Sequence, residues 1–495
     1  MSGKATSYWF RALGLLIPDM PHSLQHSKSG MTPPLFTIDA IIEATGGRAE
    51  GVEANAVESI SIDSRDLGPD ALFVAIKGDR FDGHDFVDTA IANGALAALV
   101  TEGRSSGRGR IAVVDALEGL RDLARAARAR SRGFIVGVTG SVGKTTTKEA
   151  LRVVFVAAGE THASIKSYNN HWGVPLMLAG LRETAQFGVF EMGMSAPDEI
   201  RPLSQLVRPH VAVITNIAPA HLEKLGSLEA IARAKAEIFD GLEPGGTAVL
   251  NADHAQIGIL LDAAAAAGIA NVVTYGFAEG ADWRIVEPQT DAGGSSATLL
   301  HDGASYALTL GVSGRHMLAN AAAAMAVSHI AGIVPEVALR ALAGFGAQPG
   351  RGQRLVFGPP DQPLLLIDES YNANTASMNA AMDVFASVSA PGGGKILVLG
   401  DMLELGEHAD SLHADLAAAV QASGADRIYL VGRHMAALAA ALPDGQVTGH
   451  YASVDELTPN LVDALAYGDA LMVKGSNGVG LAKIIAAVRN RFGES

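Results

Sequence analysis

Gly137-Val138-Thr139-Gly140-Ser141-Val142-Gly143-Lys144-Thr145-Thr146-Thr147 constrains what this chain can fold into more than any other stretch. It follows the apolar run Phe134-Ile135-Val136 and leads into the helical pattern Lys148-Glu149-Ala150-Leu151-Arg152-Val153-Val154. Strand, glycine-rich turn and helix in that order form the context of a phosphate-binding loop, whose backbone N–H groups and positive helix end face an anion. Thr139 to Thr146 would cradle nucleotide phosphates, with Lys144 on the terminal ones and the Thr145 hydroxyl on Mg²⁺. Six residues before the lysine stands Val138 rather than glycine, so the pattern is the narrower T-G-x-x-G-K-T-T.

A chain of 495 residues asks for about three domains at roughly 150 residues each. Composition is that of a globular protein, and a formal charge of −15 without a basic stripe argues against nucleic-acid binding. A phosphorylated substrate must then be held by local donors, not by a net positive field. The lack of cysteine excludes disulfides, thiolate metal sites and thioester chemistry, and fits a reducing compartment. Tyr8 to Ile17 is too short to span a bilayer and carries Arg11, so no membrane insertion is expected. Residues 1–30 read as a disordered extension or an upstream start, and the cytoplasm is the expected address.

The pattern implies an α/β protein of three domains. Residues 31–110 form a small α/β unit, with β-type runs at Ser59–Ile62 and Leu72–Ile76 and a helical stretch from Phe86 to Asn93. Residues 111–346 hold the phosphate loop and repeated apolar strands, Gly188–Glu191, Val211–Thr215 and Thr247–Leu250, separated by alanine-rich helices. Continuous β-branched runs between helices point to a mostly parallel sheet buried on both faces. After a Gly/Pro-rich break from Gly344 to Gly352, residues 347–495 repeat the rhythm as a Rossmann-like unit, with strands at Leu364–Ile367, Ile396–Leu399, Arg427–Val431 and Ala470–Val473. In such sheets ligands bind at the carboxyl-end turns.

Chemistry-bearing residues gather at those turns. Glu191 ends a strand, where a carboxylate can hold Mg²⁺ against phosphates or simply sit on the surface. His221 follows another strand and can ligate a metal or shuttle a proton. Lys235 and Glu237, in Ala234-Lys235-Ala236-Glu237, read on sequence physics alone as solvated helix residues. Asp63-Ser64-Arg65 and the stretch Lys77 to Phe86, with Arg80, Asp82 and His84, concentrate donors suited to a pyrophosphate or sugar.

Taken together these segments resemble the Mur ligases of bacterial cell-wall synthesis, over nearly everything from Met31 onward. The resemblance is carried by Asp63-Ser64-Arg65 with Leu72 to Phe86, by Val138 to Thr146, by Tyr168-Asn169-Asn170-His171-Trp172-Gly173-Val174-Pro175, by Asp368-Glu369-Ser370-Tyr371-Asn372-Ala373-Asn374 and by Leu399-Gly400-Asp401-Met402-Leu403-Glu404-Leu405-Gly406. The Tyr168 box and the last two stretches mark the branch that joins D-alanyl-D-alanine to UDP-MurNAc-tripeptide.

What the resemblance implies can be placed residue by residue. Lys144, Thr145 and Glu191 would bind ATP phosphates and a first Mg²⁺. His221 would serve a second Mg²⁺, together with Lys235 as a CO₂-derived carbamate, which overturns the solvated reading of that lysine. Asn320 would contact adenine, Asp368 or Glu369 the ribose, and Arg351 or Arg354 the γ-phosphate. Ser64, Arg65, Lys77, Arg80, Asp82 and His84 would hold the UDP end, and Asn169 and Asn170 the peptide. Asp401, Glu404 and Lys474 would lie near the dipeptide or nucleotide. Three positions depart from the family pattern: Met317 stands where a second Asn is common, Glu369 where Asp is frequent and Thr375 where Pro is frequent.

The implied reaction activates the tripeptide carboxylate with ATP as an acyl phosphate, which the dipeptide amine then attacks. A monomer that closes its domains about the Gly344–Gly352 break is expected. A folylpolyglutamate-synthase-like ligase shares the loop and the amide-forming logic, and a nucleotide-dependent switch would use the loop without ligation.

Overall fold

β-Branched runs flanked by alanine-rich helices build three large sheets, beside one small two-stranded sheet. The computed structural model describes residues 33–78, 81–164, 167–291 and 293–493, so the expectations for residues 1–30 and for Arg80 lie outside the described residues.

In the first unit β1 (Phe36–Thr37) pairs antiparallel with β3 (Ala56–Val57). β2 (Arg48–Glu50), β4 (Ser59–Ser61), β5 (Ala71–Val74), β6 (Ala97–Thr101) and β7 (Arg110–Val113) form a five-stranded sheet in the order β2-β7-β6-β5-β4, parallel except for β2. β7 crosses the expected boundary at residue 110. Its apolar run Ile111-Ala112-Val113 pairs with β6, so the first sheet ends only at Val113. The helix Ala116–Arg130 then buries Leu120, Leu123, Ala124 and Ala127 in one apolar cluster with Ile41 and Leu99 of the first unit and Phe190 and Ile214 of the second. The seam between the two units is thus a continuous core.

The central sheet has nine strands in the order β16-β15-β14-β13-β12-β11-β8-β10-β9. They are β8 (Phe134–Thr139), β9 (Thr161–Ala163), β10 (Phe187–Glu191), β11 (Val211–Ile214), β12 (Thr247–Asn251), β13 (Asn271–Gly276), β14 (Trp283–Asp291), β15 (Gly294–His301) and β16 (Ala304–Leu310). β9 to β14 pair in parallel, and β14, β15 and β16 continue the sheet antiparallel. The β15–β16 turn carries Asp302 and Gly303 at φ 47° and 76°, the Asp-Gly pair that a tight two-residue hairpin requires.

The third sheet runs β17-β18-β22-β19-β20-β21. β17 (Gln353–Phe357) is antiparallel to β18 (Leu364–Glu369), and β19 (Lys395–Gly400), β20 (Arg427–Val431), β21 (Val447–Tyr451) and β22 (Ala470–Lys474) are parallel. Separate apolar clusters cover its two faces. The carboxyl ends of β18 and β22 and the phosphate loop after β8 line the same cavity. Among the described residues no helix is long and apolar enough to cross a membrane.

Candidate functional site

Between β8 and the helix Lys144–Ala158 the chain turns through Gly140 at φ 144° and Gly143 at φ 85°, backbone that side chains rarely adopt. A Cβ on Gly140 would lie 2.0 Å from Thr215 Oγ1, and one on Gly143 2.6 Å from Asn320 Oδ1. The turn therefore fits only as glycine. Thr215 Oγ1 donates to the Val142 carbonyl at 2.5 Å, and Ser141 N–H to the Asn216 carbonyl at 2.8 Å, which fixes the turn against the neighbouring strand. Among the described residues no side chain caps the helix at Gly143, so its first-turn N–H groups remain for an anion. Thr139 Oγ1 and Ser141 Oγ are buried without a hydrogen-bond partner among the described residues.

Lys144 Nζ donates to the Gly140 carbonyl at 2.6 Å. Burial pushes its ammonium below the ordinary lysine value, against the pull of Glu191 and with a further push from Arg351. Glu191, 1% exposed at the end of β10, accepts from Thr145 Oγ1 at 2.8 Å and from Asn169 Nδ2 at 2.8 Å. A hydroxyl and a carboxylate side by side beneath a phosphate cradle form an all-oxygen set suited to Mg²⁺.

Lys235 is fully buried and its Nζ has no partner among the described residues. Burial, then the neighbouring Lys144 charge, drive its amine well below the ordinary lysine value, with Glu237, Glu191 and Glu199 opposing. The solvated reading is wrong for both residues of the Ala-Lys-Ala-Glu segment. Glu237 is also buried and accepts backbone N–H groups of Asp198, Ile200 and Arg201, capping the start of the helix Ile200–Val207.

A cavity of about 1060 Å³ joins the loop to the third sheet. Ser141 to Thr146, Asn169, Asn170, Glu191, His221, Asn320, Arg351, Glu369 and Lys474 all line it. Asn320 packs at the loop, accepting from Thr147 Oγ1 at 3.2 Å, while the Asn170 side chain accepts from Gly173 N–H at 2.9 Å. Of the two arginines, Arg351 lines the cavity, its guanidinium 4.2 Å from the Tyr371 ring centre; Arg354 is half-buried beside Asp291 and does not line it. Asp368 is likewise set apart. Its carboxylate is taken by Gly350 N–H, Ser370 N–H and the Ser370 hydroxyl, whereas Glu369 reaches the cavity and meets Lys474 Nζ at 3.3 Å.

Two expected substrate contacts lie outside the cavity lining and are hydrogen-bonded within the protein. Asp401 accepts from His434 and Met435 N–H groups at the start of the helix Met435–Ala441 and does not line the cavity. Glu404 lies outside the lining and is hydrogen-bonded to His221 Nδ1, a contact that holds its carboxyl below the usual range.

In the first unit, none of the expected UDP contacts among the described residues lines this cavity. Arg65 is paired with Asp63 at 2.8 Å and the Ser64 carbonyl accepts from Asn93, while Lys77 is exposed. His84 takes Thr101 N–H on Nε2 at 3.0 Å, so its Nδ1–H donates to Asp82 at 2.6 Å. That pair ties the 82–86 turn to β6. His84 and Asp82 shape the loop rather than offer open donors.

The cavity also recruits residues that the motifs left unassigned, among them Thr215, Asn216, Arg315, His316 and Tyr371. Arg315 lies 4.0 Å over the Phe277 ring. The signal for Thr215-Asn216 was available, a polar pair directly after a buried strand. Met317 is buried in the cavity wall at 7% exposure, and Thr375 opens the helix after the Asn374 cap, a position where proline's missing N–H costs nothing.

Family models match nearly the whole described chain: the Mur ligase family catalytic domain over residues 56–128, the Mur ligase middle domain over 138–328 and the Mur ligase glutamate ligase domain over 350–477. The UDP-N-acetylmuramoyl-tripeptide–D-alanyl-D-alanine ligase of Escherichia coli (strain K12) is 33% identical over 456 residues, 92% of this chain and 98% of that protein. MurF from Acinetobacter baumannii superposes with a TM-score of 0.80 at 29% identity, covering 92% of this chain and 99% of its own. MurF ligase from Thermotoga maritima, solved in complex with ADP, gives 0.72 at 26% identity over 87% and 97%.

Proposed function

The chain belongs to the Mur ligase family, and we infer that it joins D-alanyl-D-alanine to UDP-MurNAc-tripeptide, using ATP and yielding UDP-MurNAc-pentapeptide, ADP and phosphate. The observation that carries this is the shared cavity, which sets a phosphate loop with its lysine and acid against Arg351, Glu369 and Lys474 of a second sheet. The branch follows from full-length similarity to ligases of that name. A reaction that draws on ATP and a nucleotide-linked substrate would run in the cytoplasm.

A carboxylate is a poor acyl donor because its leaving group would be oxide. Transfer of the γ-phosphoryl group makes an acyl phosphate, and attack by the dipeptide amine then expels phosphate and forms the amide. Lys144 and the loop N–H groups would hold the β- and γ-phosphates, and Arg351 would meet charge developing on the γ-phosphate, a matter of positioning and electrostatics. Glu369 would reach the ribose, and Asn169 and Asn170 the tripeptide. The amine must shed a proton, which His221 can accept.

Thr145 and Glu191 fit a divalent cation, which would neutralise phosphate charge when bound. His221 and Lys235 would serve a second. The buried, charge-depleted Lys235 amine, without a partner among the described residues, fits carbamate formation: its lone pair bonds to CO₂ carbon, a C=O pair moves to oxygen and N–H loses a proton to solvent. A carbamate there would lie among Glu191, Glu199 and Glu237, so cations are needed to hold it.

Phosphate release from ATP should require both UDP-MurNAc-tripeptide and D-alanyl-D-alanine, and the nucleotide product should gain one dipeptide less water by mass. Release with a folate and glutamate instead would move the chain to another ligase branch. Release that ignores the nucleotide sugar would favour a switch.

A further inference from the structure

His221 and Glu404 meet across the seam between the central and C-terminal units. His221 follows β11, and Glu404 follows β19. Beside their side-chain hydrogen bond, Glu223 N–H approaches the Glu404 carbonyl at 3.4 Å, and Gly406 packs on Glu223. Both residues hold left-handed backbone, at φ 57° and 63°. That conformation is unfavourable for a non-glycine residue and persists where surrounding contacts hold it. Two strained turns therefore face each other, one on each unit.

We propose that Glu404 is a positioning residue: from the C-terminal unit it takes the Nδ1–H of His221, and so presents Nε2 to the cavity only when the two units are together. The inference rests on the ligase reading above. A carboxylate only accepts, so the ring nitrogen facing it must carry the hydrogen. In the neutral ring Nε2 then keeps its lone pair toward the cavity that His221 lines. That lone pair is what either role of His221 needs, proton acceptance or cation binding. Glu404 itself is outside the cavity lining, so it acts through the ring alone.

The test compares wild type with Glu404→Gln, Glu404→Asp, His221→Ala and the His221→Ala/Glu404→Gln double variant. An amide can face either ring tautomer, so Glu404→Gln removes the bias and keeps the size. Two-bond ¹H–¹⁵N spectra of histidine-labelled, metal-free protein, with His221→Ala assigning the signal, should show the Nδ1–H tautomer in wild type and a mixture in Glu404→Gln. The Glu404→Gln kcat should fall about ten- to hundredfold, as for other groups that orient a histidine, with KM for ATP and dipeptide within about twofold. Glu404→Asp should recover part of the loss, and the double variant should be no slower than His221→Ala. An Nε2–H ring in wild type, an unchanged kcat in Glu404→Gln, or losses that multiply in the double variant would overturn the proposal. Wild type that binds ATP yet makes no amide would sink the ligase reading, while the spectra would still decide whether Glu404 orients His221.

Discussion

Single residues set the chemistry by what they exclude. Gly140 excludes a side chain, because its φ of 144° and the Thr215 hydroxyl leave no room for a Cβ. Gly140→Ala should cost about 1–3 kcal/mol in local strain and weaken binding of a non-hydrolysable ATP analogue more than tenfold by calorimetry. Retained affinity would mean that the loop has another workable shape. Glu237 excludes water from three backbone N–H groups. Glu237→Ala should lower the urea midpoint by the equivalent of about 1–3 kcal/mol, with Glu237→Gln intermediate because one acceptor oxygen remains. At this scale sequence legibility was uneven. The loop was readable because glycine spacing is itself the geometry. Lys235 was not, since nothing in Ala-Lys-Ala-Glu says that the chain will bury it within reach of the Lys144 and Glu191 charges; only family resemblance singled it out. Asp401 and His84 looked like ligand groups, but polar residues in turns serve equally well as helix caps and loop ties.

At the scale of elements, polar side chains join pieces that apolar packing alone would leave free to slide. Arg128, on the helix Ala116–Arg130, donates at 2.7 Å to the Val207 and Arg208 carbonyls at the end of the helix Ile200–Val207. His413 does the same for the helix Ala409–Ala414: its Nε2 takes Met402 N–H at 2.9 Å while Nδ1–H donates to the Ala409 carbonyl. Burial pushes this ring below the ordinary 6.5, and His434 adds to the push, while the Ala409 carbonyl, Asp401 and Asp410 oppose it. The unfolded chain then binds a proton that the folded one resists, so stability is complete above about 6.5 and falls as pH drops through that value. Urea midpoints between pH 5 and 8 should show this slope, and His413→Gln should flatten it. Equal slopes would mean that other groups carry the acid sensitivity. Elements were mostly legible: the parallel strands emerged as continuous apolar runs. β14, β15 and β16 did not, although Asp302-Gly303 between alternating runs was a hairpin signal.

At the scale of the whole molecule, the expected UDP contacts sit in the first unit and the phosphate loop in the second, while the cavity closes only against the third. Reacting groups must come within about 3–3.5 Å, so binding of all substrates should draw the units together. The chain has no cysteine, which leaves dyes free to be placed at will. With Arg48→Cys and Asp444→Cys labelled, energy transfer should rise on adding ATP analogue and UDP-MurNAc-tripeptide together, and little with either alone. An unchanged signal would mean that the substrates fit a fixed frame.

The segment joining the helix Pro335–Ala343 to β17 has one more consequence. Surface connections ordinarily accept extra residues at small cost, since closure entropy grows slowly with length. Here the connection carries Gly350 and Arg351, both in the cavity wall, and Gly350 N–H is fastened to Asp368. It is therefore a ruler rather than a tether: one residue added or removed would shift Arg351 along the wall while both sheets still folded. Length variation among descendants of this chain should be plentiful in the β15–β16 hairpin and nearly forbidden between Gly346 and Gln353.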